Sequence, residues 1–197
     1  MKTPWDTLPR FDAAARPTWK PDQPSSSSGQ GLGRRLIEVH DHIREETRKL
    51  LAVISDVIEG REPADAARSA LEALSLRKNY PGLGGFCSGY CELLTIHHTL
   101  EDRQVFPGLA PIHPELKPVL KQLYDEHEVV AELIQKLDEV LVASARDEEA
   151  RGHLETVSAA LADQLLSHLL YEESQLVAAL DSAPGLPAGR PTAPGSS

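Results

Sequence analysis

Residues 96–107 read IHHTLEDRQVFP, with two adjacent histidines followed by two adjacent acids in a stretch that is otherwise amphipathic. Imidazole nitrogens and carboxylates one helical turn apart are the donor pair for a divalent transition metal. At 100° per residue, His97 lies near the centre of the arc made by Leu83, Phe86, Tyr90, Leu93, Leu94, Leu100 and Val105. Glu101 stays on that arc, about 40° from His97, whereas His98 falls at its edge and Asp102 beyond it. The expectation is that His97 and Glu101 point inward, and that His98 and Asp102 sit on the flank.

Three other segments repeat the theme. His168 and Glu172 fall among Val157, Leu161, Leu165, Leu176 and Ala179, a second His-x-x-x-Glu pair on an apolar face. His127 falls among Leu116, Leu120, Leu123, Tyr124, Val130, Ile134 and Leu141, and His40 lies between Leu36 and Ile43. One inward histidine is commonly a satisfied core residue. An inward carboxylate is different, because burying its charge without a partner costs several kcal/mol. His40, His97, Glu101, His127, His168 and Glu172 together call for a compensating cation, and neutral imidazoles with carboxylates suit iron or manganese better than magnesium or calcium. Six donors exceed the needs of one tetrahedral zinc and match two metals bridged by two carboxylates.

The elements that must position these donors are helices. No alternating strand pattern occurs, and apolar residues recur at three- and four-residue intervals. The spacing predicts helices over about 33–59, 83–106, 114–145 and 147–180, with a short extra one opening at Pro63. The expected fold is all-α: an antiparallel, up-down-up-down four-helix bundle spanning 31–181. The Pro-, Ser- and Gly-rich ends, 1–30 and 182–197, read as disordered tails, although Trp5 and Trp19 are unusual in such company.

Bulk properties exclude other classes. The chain of 197 residues carries a formal charge of −10, with no basic run longer than a pair, which argues against nucleic acid and anionic membranes as partners. No segment reaches the apolar length of a membrane span, and the N-terminus lacks the apolar run of a signal peptide, so a cytoplasmic location is expected. Cys87 and Cys91 match neither a redox nor a zinc spacing. The glycines of GLGGFCSG are not followed by the Lys-Ser/Thr of a phosphate loop.

The ordered set His40, His97/Glu101, His127, His168/Glu172, with HDHIR on the first helix and the Phe-Pro closing HTLEDRQVFP, resembles the hemerythrin-like (HHE cation-binding) family over roughly residues 33–180. The resemblance implies an oxo- or hydroxo-bridged di-iron centre of two iron ions, histidines as terminal ligands and the glutamates bridging. Manganese or a mixed centre stays open. The oxygen-carrying hemerythrins have a second histidine one turn after the first on the third helix, where this chain has Ala131, and a different His-to-acid spacing on the fourth. Tyr90, Tyr124 or Tyr171 could fill the gap, as could water or substrate; a core tyrosine bonded to a neighbour is the plainer reading of each. Arg44 and Gln175 are expected beside the ligands, and His42, His98, His113 and His153 at the surface, with His98 having the best claim of the four to a place beside the ligands. The implied partners are small molecules, O2, H2O2 or NO, with catalase- or peroxidase-like decomposition of peroxide as the turnover. The alternative is a non-catalytic iron- or oxygen-responsive sensor or interaction domain. A second apolar stripe of Leu166, Leu170 and Val177 would cover the extra helix or a homodimer interface.

Overall fold

The computed structural model describes residues 5–20, 31–74 and 93–183. Its helices are α1 (Leu32–Ile58), α2 (Ala64–Leu74), α3 (Leu93–Leu100), a π-helical turn (Glu101–Val105), α4 (Phe106–Ile112), α5 (Lys117–Ser144), α6 (Glu148–Gly152) and α7 (Leu154–Ser182). The described chain is all-helical, and α1, α3 with its continuation α4, α5 and α7 form a four-helix bundle. Among the described residues no helix is long and apolar enough to cross a membrane. Residues 83–92, with Cys87, Tyr90 and Cys91, lie outside the described set.

The bundle follows from heptad spacing. On α1, Gly33, Leu36, His40, Ile43, Thr47, Leu50, Ile54 and Val57 are buried, alternating steps of three and four that keep one seam inward. Gly60, at φ 73°, ends this helix. On α5 the same stepping runs through Leu116, Val119, Leu123, Glu126, Val130, Leu133, Leu137 and Val140.

Two apolar clusters divide the core. One holds Ile43, Leu50, Ile54, Ala67, Leu71, Leu94, Val130, Leu137, Leu161 and Leu165; the other holds Leu36, Phe106, Leu109, Leu123, Leu176 and Ala179. Along α1 and α5 the chain passes from the second cluster to the first, Leu36 to Ile43 and Leu123 to Val130. Along α3/α4 and α7 it passes the other way, Leu94 to Phe106 and Leu165 to Leu176. Neighbouring long helices therefore alternate in direction, and a polar layer lies between the clusters at His40, His97, His127 and His168. Helix α2 packs on α1 and α5 and completes the first cluster.

Three boundaries differ from expectation. Pro107 does not end its helix, which runs on to Ile112. The Phe106 N–H bonds to the Glu101 carbonyl, five residues back, and the widened turn places Pro107 in the first turn of α4, where it has no intrahelical N–H to lose. The fourth helix is split at His153, with Asp147 capping the short α6 through a bond from the Glu149 N–H, 2.9 Å. Residues 5–20, expected as part of a loose tail, are placed against the bundle. The apolar bodies of Trp5 and Leu8 join the first cluster and Trp19 the second, burial that the Pro- and Ser-rich composition around them obscured.

Helices α1 and α7 approach closely at Gly33. A Cβ there would stand 2.8 Å from the Val177 carbonyl oxygen and 2.9 Å from its Cγ1, and the backbone atom cannot swing aside. Gly33→Val should therefore cost about 1–3 kcal/mol as an overpacking change, read as a lower thermal midpoint; an unchanged midpoint would mean that α1 and α7 are not held at this distance.

Candidate metal centre

Each long helix delivers its donors at the level between the two apolar clusters. His40 comes from α1, His97 and His98 from α3, Glu101 from the π turn, His127 from α5, and His168 and Glu172 from α7. All seven are buried, His40, His168 and Glu172 completely. Their donor atoms fall into two sets, His40/His97/Glu101/Glu172 and His98/His127/His168, each set lying within 4.8 Å of itself.

The carboxylates join the sets. Glu172 Oε2 lies 3.4 Å from His40 Nε2 and 3.6 Å from His168 Nε2. Glu101 reaches His97 Nδ1 at 3.2 Å through one oxygen and His127 Nε2 at 3.7 Å through the other. Each acid thus touches one imidazole of each set. His40 Nε2 and His97 Nε2 face each other at 2.9 Å, and the His98 and His127 rings stack at 3.9 Å with 10° between planes.

Three carboxylates outside this layer fix the rings. Glu173 lies 2.8 Å from His40 Nδ1, Asp102 2.8 Å from His127 Nδ1 and Glu126 3.1 Å from His168 Nδ1. An ionised carboxylate only accepts, so each Nδ1 carries the proton and each Nε2 points inward as a bare lone pair. Arg44 donates to Glu173 at 2.7 Å and holds that acid in place. Glu126, fully buried, accepts from Arg16, Gln122 and His168.

The polar atoms left without a hydrogen-bond partner decide what the layer is for. They include Nε2 of His98, His127 and His168, Oε2 of Glu101 and both carboxylate oxygens of Glu172. Buried polar groups are almost always satisfied, and six orphaned lone pairs aimed at one layer are what a bound cation would satisfy. The donors present, imidazole nitrogens and carboxylate oxygens, fit a first-row transition metal.

The comparison with known families agrees. The hemerythrin HHE cation binding domain matches residues 34–180. The chain belongs to the hemerythrin HHE family. No curated protein and no solved structure matches it. This hemerythrin-like chain is accordingly a metal-cation-binding domain, with its His/Glu groups gathered at the centre of the bundle.

The structure brings together all six residues singled out from sequence and adds a seventh. His98 was expected on the flank but is 8 % exposed, inside the site. The inward face of α3 runs through Leu94, His97, His98 and Glu101, at steps of three, one and three, whereas Leu100, one of the residues that define the apolar arc, is 39 % exposed. The i, i+3, i+4, i+7 spacing was there to find; weighting only apolar residues turned the helix too far. Asp102, also expected on the flank, serves His127 from there. On α5 the face is similarly rotated: Tyr124 is 48 % exposed and Ala131 is at the surface, so the position that holds the extra histidine in oxygen carriers does not face this site. His98 supplies the third imidazole of that set instead.

The tyrosine expectations end differently. Tyr124 faces solvent, and the Tyr171 hydroxyl donates to the Pro17 carbonyl at 2.7 Å. Burial and the nearby Glu126 charge push the Tyr171 phenol up to about 12, which makes a phenolate harder to form. Gln175 does not touch the donors; its Oε1 accepts the Trp19 N–H at 2.5 Å. His42 is exposed as expected, whereas His113 and His153 are half-buried against the rings of Trp19 and Trp5.

Protonation follows burial. Desolvation lowers His97 to about 3, and lowers His98 and His168 as well, so these imidazoles are neutral and ready to ligate at neutral pH. Burial and the proximity of Glu172 raise Glu101 well above the carboxylate range. Glu172 is also penalised by burial, but its place beside the imidazoles of His40, His97 and His168 outweighs this and lowers it.

A group whose imidazole is depressed on folding binds fewer protons folded than unfolded, so stability is lost as pH falls below the ordinary histidine value of 6.5. Glu101 acts in the opposite sense above its ordinary 4.5, but one carboxyl stands against three imidazoles. The metal-free protein should therefore lose stability steadily as pH drops from about 6.5 towards 4.5. The urea midpoint of chelator-treated protein across that range checks this, and a flat profile would contradict neutral buried imidazoles.

Proposed function

We propose that this domain is a non-haem di-iron protein that binds O2, peroxide or NO and decomposes hydrogen peroxide. The observation that carries the reading is the pair of donor sets spanned by two carboxylates, with the orphaned lone pairs turned inward. His40 and His97 would hold one ion, His98, His127 and His168 the other, with Glu101 and Glu172 shared. Five imidazoles and two carboxylates suit iron, and manganese with the same donors is the nearest competitor. When bound, a di-iron pair supplies reversible redox change and exchangeable positions for a small oxidant.

The chain's own residues do the rest. Glu173, Asp102 and Glu126 keep the Nδ1 protons of His40, His127 and His168, so each ring offers the same nitrogen inward without rearrangement. The apolar clusters above and below, with Ile43, Leu94, Val130 and Leu165 on one side and Leu36, Phe106, Leu123 and Leu176 on the other, limit water at the layer. Two peroxides become two waters and one dioxygen, one peroxide being oxidised as the other is reduced, so no external reductant is required.

Anaerobic loading with Fe(II) and metal analysis test the reading. The expected stoichiometry is about two ions per chain, falling to near zero in His97→Ala/Glu101→Ala. In His98→Ala one ion should be retained while the other is lost or weakened at least about 10-fold. Absence of metal in the wild-type chain would sink the di-iron proposal, and two ions without peroxide consumption would remove the turnover while leaving the binding site. Unchanged metal content in His98→Ala would strike His98 from the ligand set.

A further inference from the structure

Residues 5–20 contribute none of the donor atoms and precede the family match at 34–180, yet they reach the centre. The segment runs alongside α7 in the same direction. The Trp5 ring meets His153, the Phe11 N–H bonds Gln164 Oε1 at 3.1 Å, the Pro17 carbonyl accepts from Tyr171, and the Trp19 N–H bonds Gln175. Between these tethers Arg16 turns inward. Its guanidinium lies between the rings of Phe11 and Tyr171, 4.7 and 4.6 Å from their centroids, and donates to Ser167 Oγ at 3.0 Å. Nε and Nη2 bond the two oxygens of Glu126, 2.8 Å each, in a fork-to-fork pair.

Glu126 is the acceptor for His168 Nδ1, and it has no exposure to water. Without Arg16, its remaining partners are Gln122 and His168, neither of which carries a formal charge to match it. A buried carboxylate so deprived must turn toward water, and His168 then loses the acceptor that fixes its tautomer and ring angle. The corresponding acid for His40, Glu173, takes its cation from Arg44 on α1, within the bundle. The His168 acid takes its cation from outside.

We propose that the N-terminal segment is a positioning strap: Arg16 holds Glu126 in the pose that accepts the His168 Nδ1 proton and so aims His168 Nε2 at the His98/His127/His168 position. Arg16 is a positioning residue that touches no donor atom of that set and acts through Glu126, with Ser167 and the rings of Phe11 and Tyr171 holding its guanidinium in place. The part of this inference that concerns metal rests on the di-iron reading; the part that concerns the histidine does not.

Two measurements on full-length Arg16→Ala, Arg16→Lys and wild type separate the two parts. Without metal, 15N NMR of the imidazoles should show His168 as a single Nδ1–H tautomer in the wild type and as a mixture in Arg16→Ala, with His40 and His127 unchanged. With Fe(II) alone as the probe, one of the two ions should weaken by on the order of 10-fold in Arg16→Ala, the other being unaffected, and Arg16→Lys should recover part of the loss. If Arg16→Ala does not fold, Arg16→Gln keeps the aliphatic stem between Phe11 and Tyr171 and carries the same comparison. A His168 signal indistinguishable from wild type would overturn the proposal, as would a uniform disturbance of all the imidazoles, which marks general loosening. A chain that binds no iron would remove the di-iron reading, and the metal-free tautomer comparison would still decide the strap.

Discussion

A layer of carboxylates and imidazoles closed between two apolar clusters has to be balanced by positive charge, and the rest of the structure is arranged around that need. Glu101 and Glu172 are 3 % and 0 % exposed and lie close enough to oppose each other's ionisation. Apolar side chains of similar volume would pack this layer at far lower cost. The bundle instead spends four helix seams on it, interrupting Leu36–Ile43, Leu94–Phe106, Leu123–Val130 and Leu165–Leu176 at one level. The clusters on either side supply the folding energy that carries the polar layer, and they also deny it water.

The π turn at Glu101–Val105 shows how local backbone geometry serves this layer. Regular α-helical stepping brings Leu94, His97 and His98 inward, and the wider turn begins at the next inward residue. Glu101 then spans His97 and His127, while its neighbour Asp102 stands at the edge of the site and accepts a hydrogen bond from His127 Nδ1. Two adjacent acids thus act on the same histidine ring from opposite nitrogens, Glu101 beside Nε2 and Asp102 on Nδ1. The turn is also where the helix accommodates Pro107 and continues.

The helical architecture was legible in the sequence because heptad spacing is a local property, and His40, His97, Glu101, His127, His168 and Glu172 were legible because charged or polar residues on an apolar seam stand out. His98 was not, since an arc drawn through apolar residues alone counts Leu100, which is 39 % exposed, among its inward members. Glu126 and Glu173 were hidden for another reason. Each sits beside a more conspicuous residue, His127 and Glu172, and its worth depends on a ring from a different helix, Glu126 with His168 and Glu173 with His40. Pairings across helices have no fixed sequence spacing. Glu126 does fall on the α5 heptad between Leu123 and Val130, and a buried acid at that step was a signal to pursue. Arg16 gave no signal of any kind: it lies in a segment whose composition reads as disordered, and only its tethers to α7 reveal its place.

The two donor sets are therefore not equivalent in how they are braced. The His40 side is braced entirely from within the bundle, Glu173 and Arg44 coming from the same α7–α1 pair that carries Glu172 and His40. The His168 side is braced by a fork-to-fork ion pair whose cation arrives on a separate segment. An imidazole whose Nδ1 proton is held by an anchored carboxylate is a stronger donor at Nε2 than one whose acceptor is free to move. The firmness of that anchor sets the donor strength of His168, and Glu172 lies between the Nε2 atoms of His40 and His168. A change in how residues 5–20 sit on α7 therefore acts at His168, while His40, whose brace lies wholly within the bundle, keeps its pose on the other side of the shared Glu172.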